Sequence, residues 1–138
     1  MFVDPSENVQ HLKPEGLSQP AAYTQVITAE GGKMVFIAGQ TPIDAQGNVV
    51  GVGDYDAQVM QVFENLTRAL AAAGATWKDC VKVIQYIPNW DPEKHRPALG
   101  AARTKFMVPD NLPVSTLLGI QSLARPEYLI EIEAMAYV

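Results

Sequence analysis

The sequence has 138 residues, of which 48% are hydrophobic and 18% are charged, and its formal net charge is −5. A chain of this length can form one domain and bury about two-thirds of the surface that its unfolded form exposes. The acidic balance and the ten scattered Lys and Arg residues argue against a nucleic-acid-binding surface, because such surfaces depend on clustered cations.

The sequence carries no recognisable targeting or membrane signal. Residues 1–10 do not combine a basic segment with an apolar core, as a secretory signal peptide does. The apolar stretches are far shorter than the roughly 18 residues that a bilayer span needs. Cys80 is the only cysteine, which excludes an internal disulfide and a multi-cysteine metal site. We therefore expect a cytoplasmic protein that binds neither a membrane nor a metal ion.

The N-terminal third contains β-favouring segments separated by turn residues. Residues 1–20 mix Pro, Gly, Ser and charge without a period, which predicts an irregular arm or an edge segment. Two β-favouring runs, 22–28 and 33–39, flank a Glu-Gly-Gly turn in which glycine permits a positive φ. We predict that these two runs form a hairpin. A further short strand is possible over residues 48–52.

The central third predicts a helix followed by a strand. Apolar residues recur at helical spacing from Val59 to Ala73, an aspartate at 54 or 56 can cap the start, and Gly74 can end the helix. A short capped turn over residues 76–79 then leads into an alternating run over residues 81–87. We predict that this run forms a central strand.

A second helix and two closing strands complete the chain. Asp91 followed by Pro92 predicts a capped helix that ends near Met107, although Pro97 leaves open a start nearer His95. Strands are predicted over residues 114–120 and 128–137. This element order predicts a single α+β domain over residues 1–138, with two helices on one face of a mostly antiparallel sheet. Because such helices cover only one sheet face, self-association is expected to cover the other.

The last strand places two glutamates on one face. Side chains alternate along a strand, so Glu131 and Glu133 point the same way, with α-carbons about 6.6–7 Å apart. One ionised carboxylate then raises the pKa of the other where solvent is excluded, which would suit general acid or base chemistry. Taken alone, the pair is more typical of a solvated or salt-bridged strand face. A second candidate feature, Gly39 followed by Gln40, could orient a polar ligand or form an ordinary strand-to-loop transition.

Several motifs in chain order resemble the RidA/YjgF family over nearly the whole sequence. The resemblance includes a Gly-Gln-x-Pro turn with a following Asp and Gly, and a closing Glu-Ile-Glu-Ala-x-Ala strand. The segments that carry it are Tyr23–Gln25, Phe36–Gln40, Gln58, Glu64–Leu66, Ala72–Gly74, Val81–Lys82 and Glu131–Ala136.

The resemblance implies a fold, an assembly and a reaction. It implies a chorismate-mutase-like α+β fold and a homotrimer whose sheets form a central barrel, with three ligand clefts between subunits. Its best-known members hydrolyse reactive enamines and imines, such as 2-aminoacrylate and 2-iminopropionate, to 2-oxo acids and ammonia without a metal or an organic cofactor. An arginine of the family normally anchors the substrate carboxylate.

This sequence departs from the family pattern at that arginine. The family's Pro-Ala-Arg-Ser/Thr segment is matched to residues 112–116, and we assign Val114 to the arginine position. A valine there would disfavour a carboxylate and select a more apolar or uncharged substrate. Arg103 on the second helix could partly restore an anion anchor, or it could form a helix-surface salt bridge.

Other cleft positions are matched unevenly. Tyr23 and Glu131 agree with the family, whereas Ala38 replaces a common serine and Gly100 a common asparagine. The resulting candidate site has Glu131 as the catalytic residue. Its candidate ligand-binding residues are Tyr23, Ala38, Gly39, Gln40, Arg103, Val114, Ser115 and Thr116.

Three functions follow as hypotheses. The first is a cofactor-free deaminase-type hydrolase of a small enamine or imine, in which Glu131 positions water and backbone amides near residues 115 and 116 hold the polarised group. The second is a non-catalytic trimer that binds a small metabolite or a protein partner at its clefts. The third, a ribonuclease or translation inhibitor, fits the acidic balance least well.

Overall fold

A four-stranded sheet and two helices make up most of the fold. The computed structural model describes residues 8–138, so the first seven residues of the predicted arm, and most of the segment judged for a signal peptide, lie outside the described residues. The elements are β1 (Val9–Leu12), β2 (Val26–Ala29), β3 (Met34–Gln40), α1 (Tyr55–Ala72), β4 (Cys80–Pro88), α2 (Pro92–Phe106), β5 (Val114–Ile120) and β6 (Glu131–Tyr137).

The main sheet has the strand order β3-β6-β4-β5. Strand β6 pairs antiparallel with β3 and with β4, while β4 pairs parallel with β5 through the α2 connection. The predicted α+β class, the mostly antiparallel sheet and the interior position of β4 are therefore confirmed.

The predicted hairpin between β2 and β3 is wrong. Strand β2 pairs with β1 in a separate two-stranded sheet, and β3 pairs with β6. The turn glycines do permit a sharp reversal, and Gly31 has a φ of 76°. However, the N–H of Gly32 donates to the Tyr137 hydroxyl at 2.8 Å, and the N–H of Val138 donates to the Lys33 carbonyl at 3.0 Å. These bonds extend the pairing with the distant β6, so a non-local partner prevails over the local turn signal.

Two other N-terminal expectations have mixed outcomes. The segment predicted as an irregular arm or an edge segment contains strand β1, so the edge segment is the alternative that the structure shows. The possible strand over residues 48–52 does not form, and a single isolated bridge between Ile43 and Val49 stands in its place.

Helix α1 is defined by its caps and by one buried face. The side chain of Asp54 accepts a hydrogen bond from the Ala57 N–H at 3.1 Å, which satisfies one free donor of the first turn. Beyond the helix end, Gly74 has a φ of 75°, a conformation that glycine adopts without steric cost. The helix buries the side chains of Tyr55, Gln58, Val59, Val62, Phe63, Leu66 and Leu70.

Helix α2 begins at the first of the two predicted starts. Asp91 caps it by accepting from the Glu93 N–H at 3.1 Å, and Pro92 occupies its first turn. Pro97 lies inside the helix, where it removes one backbone hydrogen bond. Nδ1 of the buried His95 accepts a hydrogen bond from the Asp91 N–H at 2.8 Å, which is a second side-chain hydrogen bond at the helix start.

The core lies between the helices and one face of the sheet. Helix α1 contacts α2, β3 and β6, and alternate residues of β6, Ile132, Ala134 and Ala136, are buried against it. Cys80 belongs to this core, and burial raises the pKa of its thiol to about 12, in agreement with a packing role. Within residues 8–138, no helix combines the length and the hydropathy that a membrane crossing needs.

No helix of residues 8–138 packs on the opposite face of the sheet, and large apolar side chains are exposed on it. Phe36 is 71% exposed, Met34 48% and Leu118 42%. The registers place Phe36 beside Met135 and Leu118 beside Tyr86, so these side chains share one surface. We call this surface the open face.

Candidate functional site

Glu131 lies on the open face, directly over Gly39. The β3–β6 register shifts between Ile37 and Gln40, and Gly39 lies inside that irregularity. A β-carbon at residue 39 would collide with the Glu131 carboxylate. Only glycine therefore allows the carboxyl group to rest against the β3 backbone. The structure thus places Gly39 and Glu131, two of the predicted site residues, in contact.

The surroundings of Glu131 make its ionised form less favourable. Partial burial raises the pKa of Glu131, and the nearby charge of Glu133 raises it further. Glu133 itself accepts a short hydrogen bond from the Tyr86 hydroxyl. That bond is also the main cause of the raised pKa of Tyr86. The two glutamates thus differ, since Glu133 is held by a tyrosine while Glu131 faces the glycine.

A cavity of about 620 Å³ lies on the other side of the sheet, between α2 and the β4–β5 pair. Its lining combines five polar or charged side chains with an apolar wall. No aspartate or glutamate belongs to that lining in the part of the chain that the structure describes. The polar lining residues are Tyr23, Gln85, Arg96, Arg103 and Ser115, and the others are Ala22, Trp90, Leu99 and Leu117. We call this space the arginine cavity.

Local contacts hold the polar groups of the arginine cavity in place. The Gln85 side-chain amide donates to the Ser115 hydroxyl at 2.9 Å, across the parallel β4–β5 pair. A β-carbon at residue 100 would lie 3.7 Å from Nη2 of Arg103, so the guanidinium of Arg103 folds back over Gly100. The cavity is therefore cationic, with an amide and hydroxyls as further hydrogen-bonding groups.

The structure divides the predicted site residues between two places. Tyr23, Arg103 and Ser115 line the arginine cavity. Glu131 and Gly39 lie on the open face, where Ala38 and Thr116 are also exposed. Within one subunit the sheet therefore separates the predicted catalytic residue from the cavity.

Val114 does not line the arginine cavity. It pairs with Lys82, whereas Ser115 is bonded to Gln85 and faces the cavity, so the alternation of the strand turns Val114 to the open face. Matched on the shared proline, Pro113, the family's Pro-Ala-Arg-Ser/Thr segment also places its arginine at residue 115. The structure favours Ser115 for the arginine position, and the assignment to Val114 is one residue off. In both alignments β5 lacks the arginine.

Val114 is also far from Glu131 within one subunit. The β5 residue level with Glu131 is Leu118, because both pair with Tyr86. Val114 lies four residues along β5 and two strands away, which separates the two α-carbons by roughly 16 Å. A direct control of Glu131 chemistry by Val114, as the sequence suggested, is incompatible with this distance inside a single chain.

Sequence reasoning missed several residues that the structure brings to these sites. Arg96, Trp90 and Gln85 line the arginine cavity. The seven-residue spacing of Arg96 and Arg103 was a usable signal, because it places both on one helix face. No role was predicted from the sequence for Asn65, whose amide donates to the carbonyls of Thr41 at 3.1 Å and of Ile43 at 2.9 Å. It thereby fixes the loop that follows Gly39 and Gln40.

The two histidines lie away from the arginine cavity. His11 Nδ1 is 3.1 Å from the Thr24 hydroxyl, at a separate cavity of about 310 Å³ beside β1. His95 packs inside the aromatic cluster with Tyr55 and Trp90. Among residues 8–138, no three His, Cys, Asp or Glu side chains lie close enough together to hold a metal ion.

Comparison with known proteins places the chain in a family. The sequence model described as endoribonuclease L-PSP matches residues 15–138. The chain belongs to this family. The resemblance to RidA/YjgF proteins stated from the motifs is thereby confirmed, and so is the fold class.

Relatives with sequence and structural similarity support the same assignment. A RutC family protein of Pyrococcus horikoshii is 34% identical over 120 residues, which cover 83% of this chain and 86% of the relative. The 3-aminoacrylate deaminase RutC of Acinetobacter baylyi is 30% identical over 127 residues, with 92% and 96% covered. The crystal structure of a conserved Rid family protein from Yersinia pestis superposes with a TM-score of 0.83 at 33% identity, covering 95% of this chain and 99% of that one.

Proposed function

We propose that this protein is a cofactor-free hydrolase that converts a small reactive enamine or imine to an oxo compound and ammonia. The observation that carries the proposal is the position of Glu131, a carboxyl group with a raised pKa that rests against Gly39. A carboxyl group of this kind can exchange protons closer to neutral pH than an exposed glutamate. The similarity to a relative named 3-aminoacrylate deaminase supports the same reaction class.

The reaction needs only water and a proton carrier. An enamine first becomes the imine as a proton is added to carbon and a proton is lost from nitrogen. Water then adds to the imine carbon, and its first proton passes to nitrogen to give the carbinolamine. The hydroxyl of the carbinolamine loses the second proton to nitrogen as the carbon–oxygen double bond forms, the carbon–nitrogen bond breaks and ammonia leaves. In each of these transfers ionised Glu131 accepts the proton from oxygen, and protonated Glu131 returns it to nitrogen.

The site requires more than one copy of the chain. The sheet separates Glu131 from the arginine cavity, so a second subunit must bring one subunit's Glu131 against another subunit's Tyr23 and Arg103. The clefts of a homotrimer, which the family resemblance implies, would provide this arrangement. The exposed apolar side chains of the open face, Phe36 among them, favour coverage by further copies. Sedimentation equilibrium tests the assembly, and a monomeric mass would contradict it.

A coupled assay tests the reaction. A dehydratase generates 2-aminoacrylate from serine, and release of pyruvate and ammonia is followed with and without this protein. We expect acceleration by the native chain and its loss in Glu131→Gln, which preserves shape but cannot ionise. Glu30→Gln, at an exposed position in the turn before β3, is the matched control and should retain the rate. No acceleration by the native protein would rule out 2-aminoacrylate as a substrate.

A non-catalytic, metabolite-binding trimer is the second candidate. The observation that favours it is the absence of arginine from β5, where the family carries its carboxylate anchor. Such a protein would bind small acids in the arginine cavity but would accelerate none of the imine hydrolyses. A ribonuclease activity, despite the family's description, has less support because the net charge is −5 and the cations are scattered.

A further inference from the structure

We propose that the arginine cavity selects substrates with two carboxylate groups, through Arg96 and Arg103 together. The part of this inference that concerns hydrolysis rests on the proposed function, because it names the class of substrate that the proposed hydrolase would accept. The substrate would be a dicarboxylic 2-imino acid of four or five carbons, in contrast to the monocarboxylic imines that one anchoring arginine accommodates.

The first argument is the placement of the two arginines on α2. They are seven residues apart, which is two helical turns, so both point from the same helix face with α-carbons about 10.5 Å apart. Because the guanidinium of Arg103 folds back over Gly100, it approaches the Arg96 end of the cavity. Both cations therefore face one shared volume.

The second argument is charge. Two guanidinium groups line the arginine cavity, and no carboxylate of the described chain lines it with them. A ligand with two negative charges offsets both cations, whereas a monocarboxylate offsets one. Each guanidinium presents a planar fork that matches a carboxylate with two parallel hydrogen bonds. The lining that a single subunit provides is thus electrostatically complementary to a dianion.

The third argument is size and polarity. The volume of about 620 Å³ falls within the range of ligand sites and has room for an acid of four or five carbons. The Gln85–Ser115 pair and the Tyr23 side chain provide hydrogen bonds at the sheet side. Trp90 and Leu99 provide an apolar wall, against which the carbon chain between two carboxylates can pack.

An assay with two imines tests the selection. D-Aspartate oxidase generates 2-iminosuccinate and D-amino acid oxidase generates 2-iminopropionate, and semicarbazide traps whichever imine is not hydrolysed. We expect kcat/KM to be about tenfold or more higher for 2-iminosuccinate, because a second charge-assisted contact is made. Arg96→Gln should reduce the value for 2-iminosuccinate at least about tenfold more than the value for 2-iminopropionate. Arg68→Gln, an exposed helix arginine on α1, is the matched control.

A binding experiment separates this inference from the proposed reaction. Isothermal titration calorimetry compares succinate, propionate and 3-phenylpropionate on the intact protein and on Arg96→Gln and Arg103→Gln. Tighter binding of succinate, lost in both variants, supports the inference even when no imine is hydrolysed, in which case the hydrolase proposal fails alone. Equal binding of succinate and propionate, tighter binding of 3-phenylpropionate, or unchanged succinate binding in Arg96→Gln would overturn it. Circular dichroism checks that each variant remains folded.

Discussion

The carboxylate of Glu131 occupies the space that a side chain at Gly39 would fill. This contact links the β-bulge of β3 to the first residue of β6. Gly39 does not have a positive φ, so its backbone conformation does not require glycine. Glycine is required because the Glu131 carboxylate lies where a β-carbon of residue 39 would be. Its role is therefore to make room for Glu131.

Gly39→Ala is expected to displace Glu131 and to lower the rate. The added β-carbon overlaps the carboxylate, and a displacement of about 1 Å at a reacting group can cost up to about a hundredfold in rate. We expect a fall in kcat of at least about tenfold in the 2-aminoacrylate assay. The overlap should also lower the free energy of unfolding by about 1–3 kcal/mol.

A double-mutant cycle identifies the cause of that loss. In a Glu131→Ala background the side chain that collides with residue 39 is absent. Gly39→Ala should then reduce the free energy of unfolding by less than about 1 kcal/mol. An equal cost in both backgrounds would show that the destabilisation arises from the β3 backbone and not from contact with Glu131.

The raised pKa of Glu131 predicts a specific dependence of stability on pH. The folded state binds this proton more tightly than the unfolded state, so its contribution to stability is complete below the ordinary pKa of 4.5. The contribution decreases as pH rises from there through the raised pKa of the folded state. Glu131→Gln removes it. The stability of the native chain relative to Glu131→Gln, measured by urea unfolding, should therefore fall as pH rises from 4.5 through the raised pKa of the folded state. A constant difference would contradict the raised pKa.

The sequence predicted the elements well where local signals and packing agree. The Asp54 cap, the helical spacing of α1 and the turn at Gly74 all favour one outcome, and the structure follows them. The alternation in β6 correctly separated Ile132 from Glu131. These features depend on residues that are neighbours in sequence, so they can be predicted from the amino-acid sequence alone.

Features that depend on distant partners were predicted less well. The turn at Gly31 favoured a local hairpin, but β3 pairs with β6 across about a hundred residues of sequence. The face of β5 that meets the arginine cavity depends on its parallel pairing with β4, which the sequence alone did not fix. The pairing shows that Ser115, and not Val114, faces the cavity. Strand pairing, and not local propensity, decides which side chains share a site.

Two arginine substitutions in β5 distinguish these positions. Ser115→Arg places a guanidinium in the arginine cavity, where it would provide the anchor that the family normally carries on this strand. We expect kcat/KM for the imine from 2-aminoacrylate to rise about tenfold, consistent with a new charge-assisted contact. Val114→Arg, at the adjacent residue on the open face, is the matched control and should give no such rise. A rise from Val114→Arg alone would favour the original alignment.

Gln58 is expected to be the polar side chain that contributes most to the stability of the loop before β6. It is fully buried, its amide donates to the carbonyls of Gly51 at 3.0 Å and Glu127 at 2.9 Å, and its oxygen accepts from the Leu129 N–H at 2.8 Å. Gln58→Leu retains the apolar contacts but leaves these backbone groups without their partner. We expect a loss of about 3 kcal/mol in the free energy of unfolding, measured with urea at fixed protein concentration.

Gln61, one turn further along the same helix, provides the matched control for Gln58. It is only partly buried, and its amide bonds a single side chain, Asn65, at 2.9 Å. Gln61→Leu removes a bond that water can replace, so a loss of less than about 1 kcal/mol is expected. Equal losses at the two positions would mean that volume in α1, and not the three backbone bonds of Gln58, determines the effect. A large loss confined to Gln58→Leu would show that α1 fixes the approach of the chain to β6, and with it the place of Glu131.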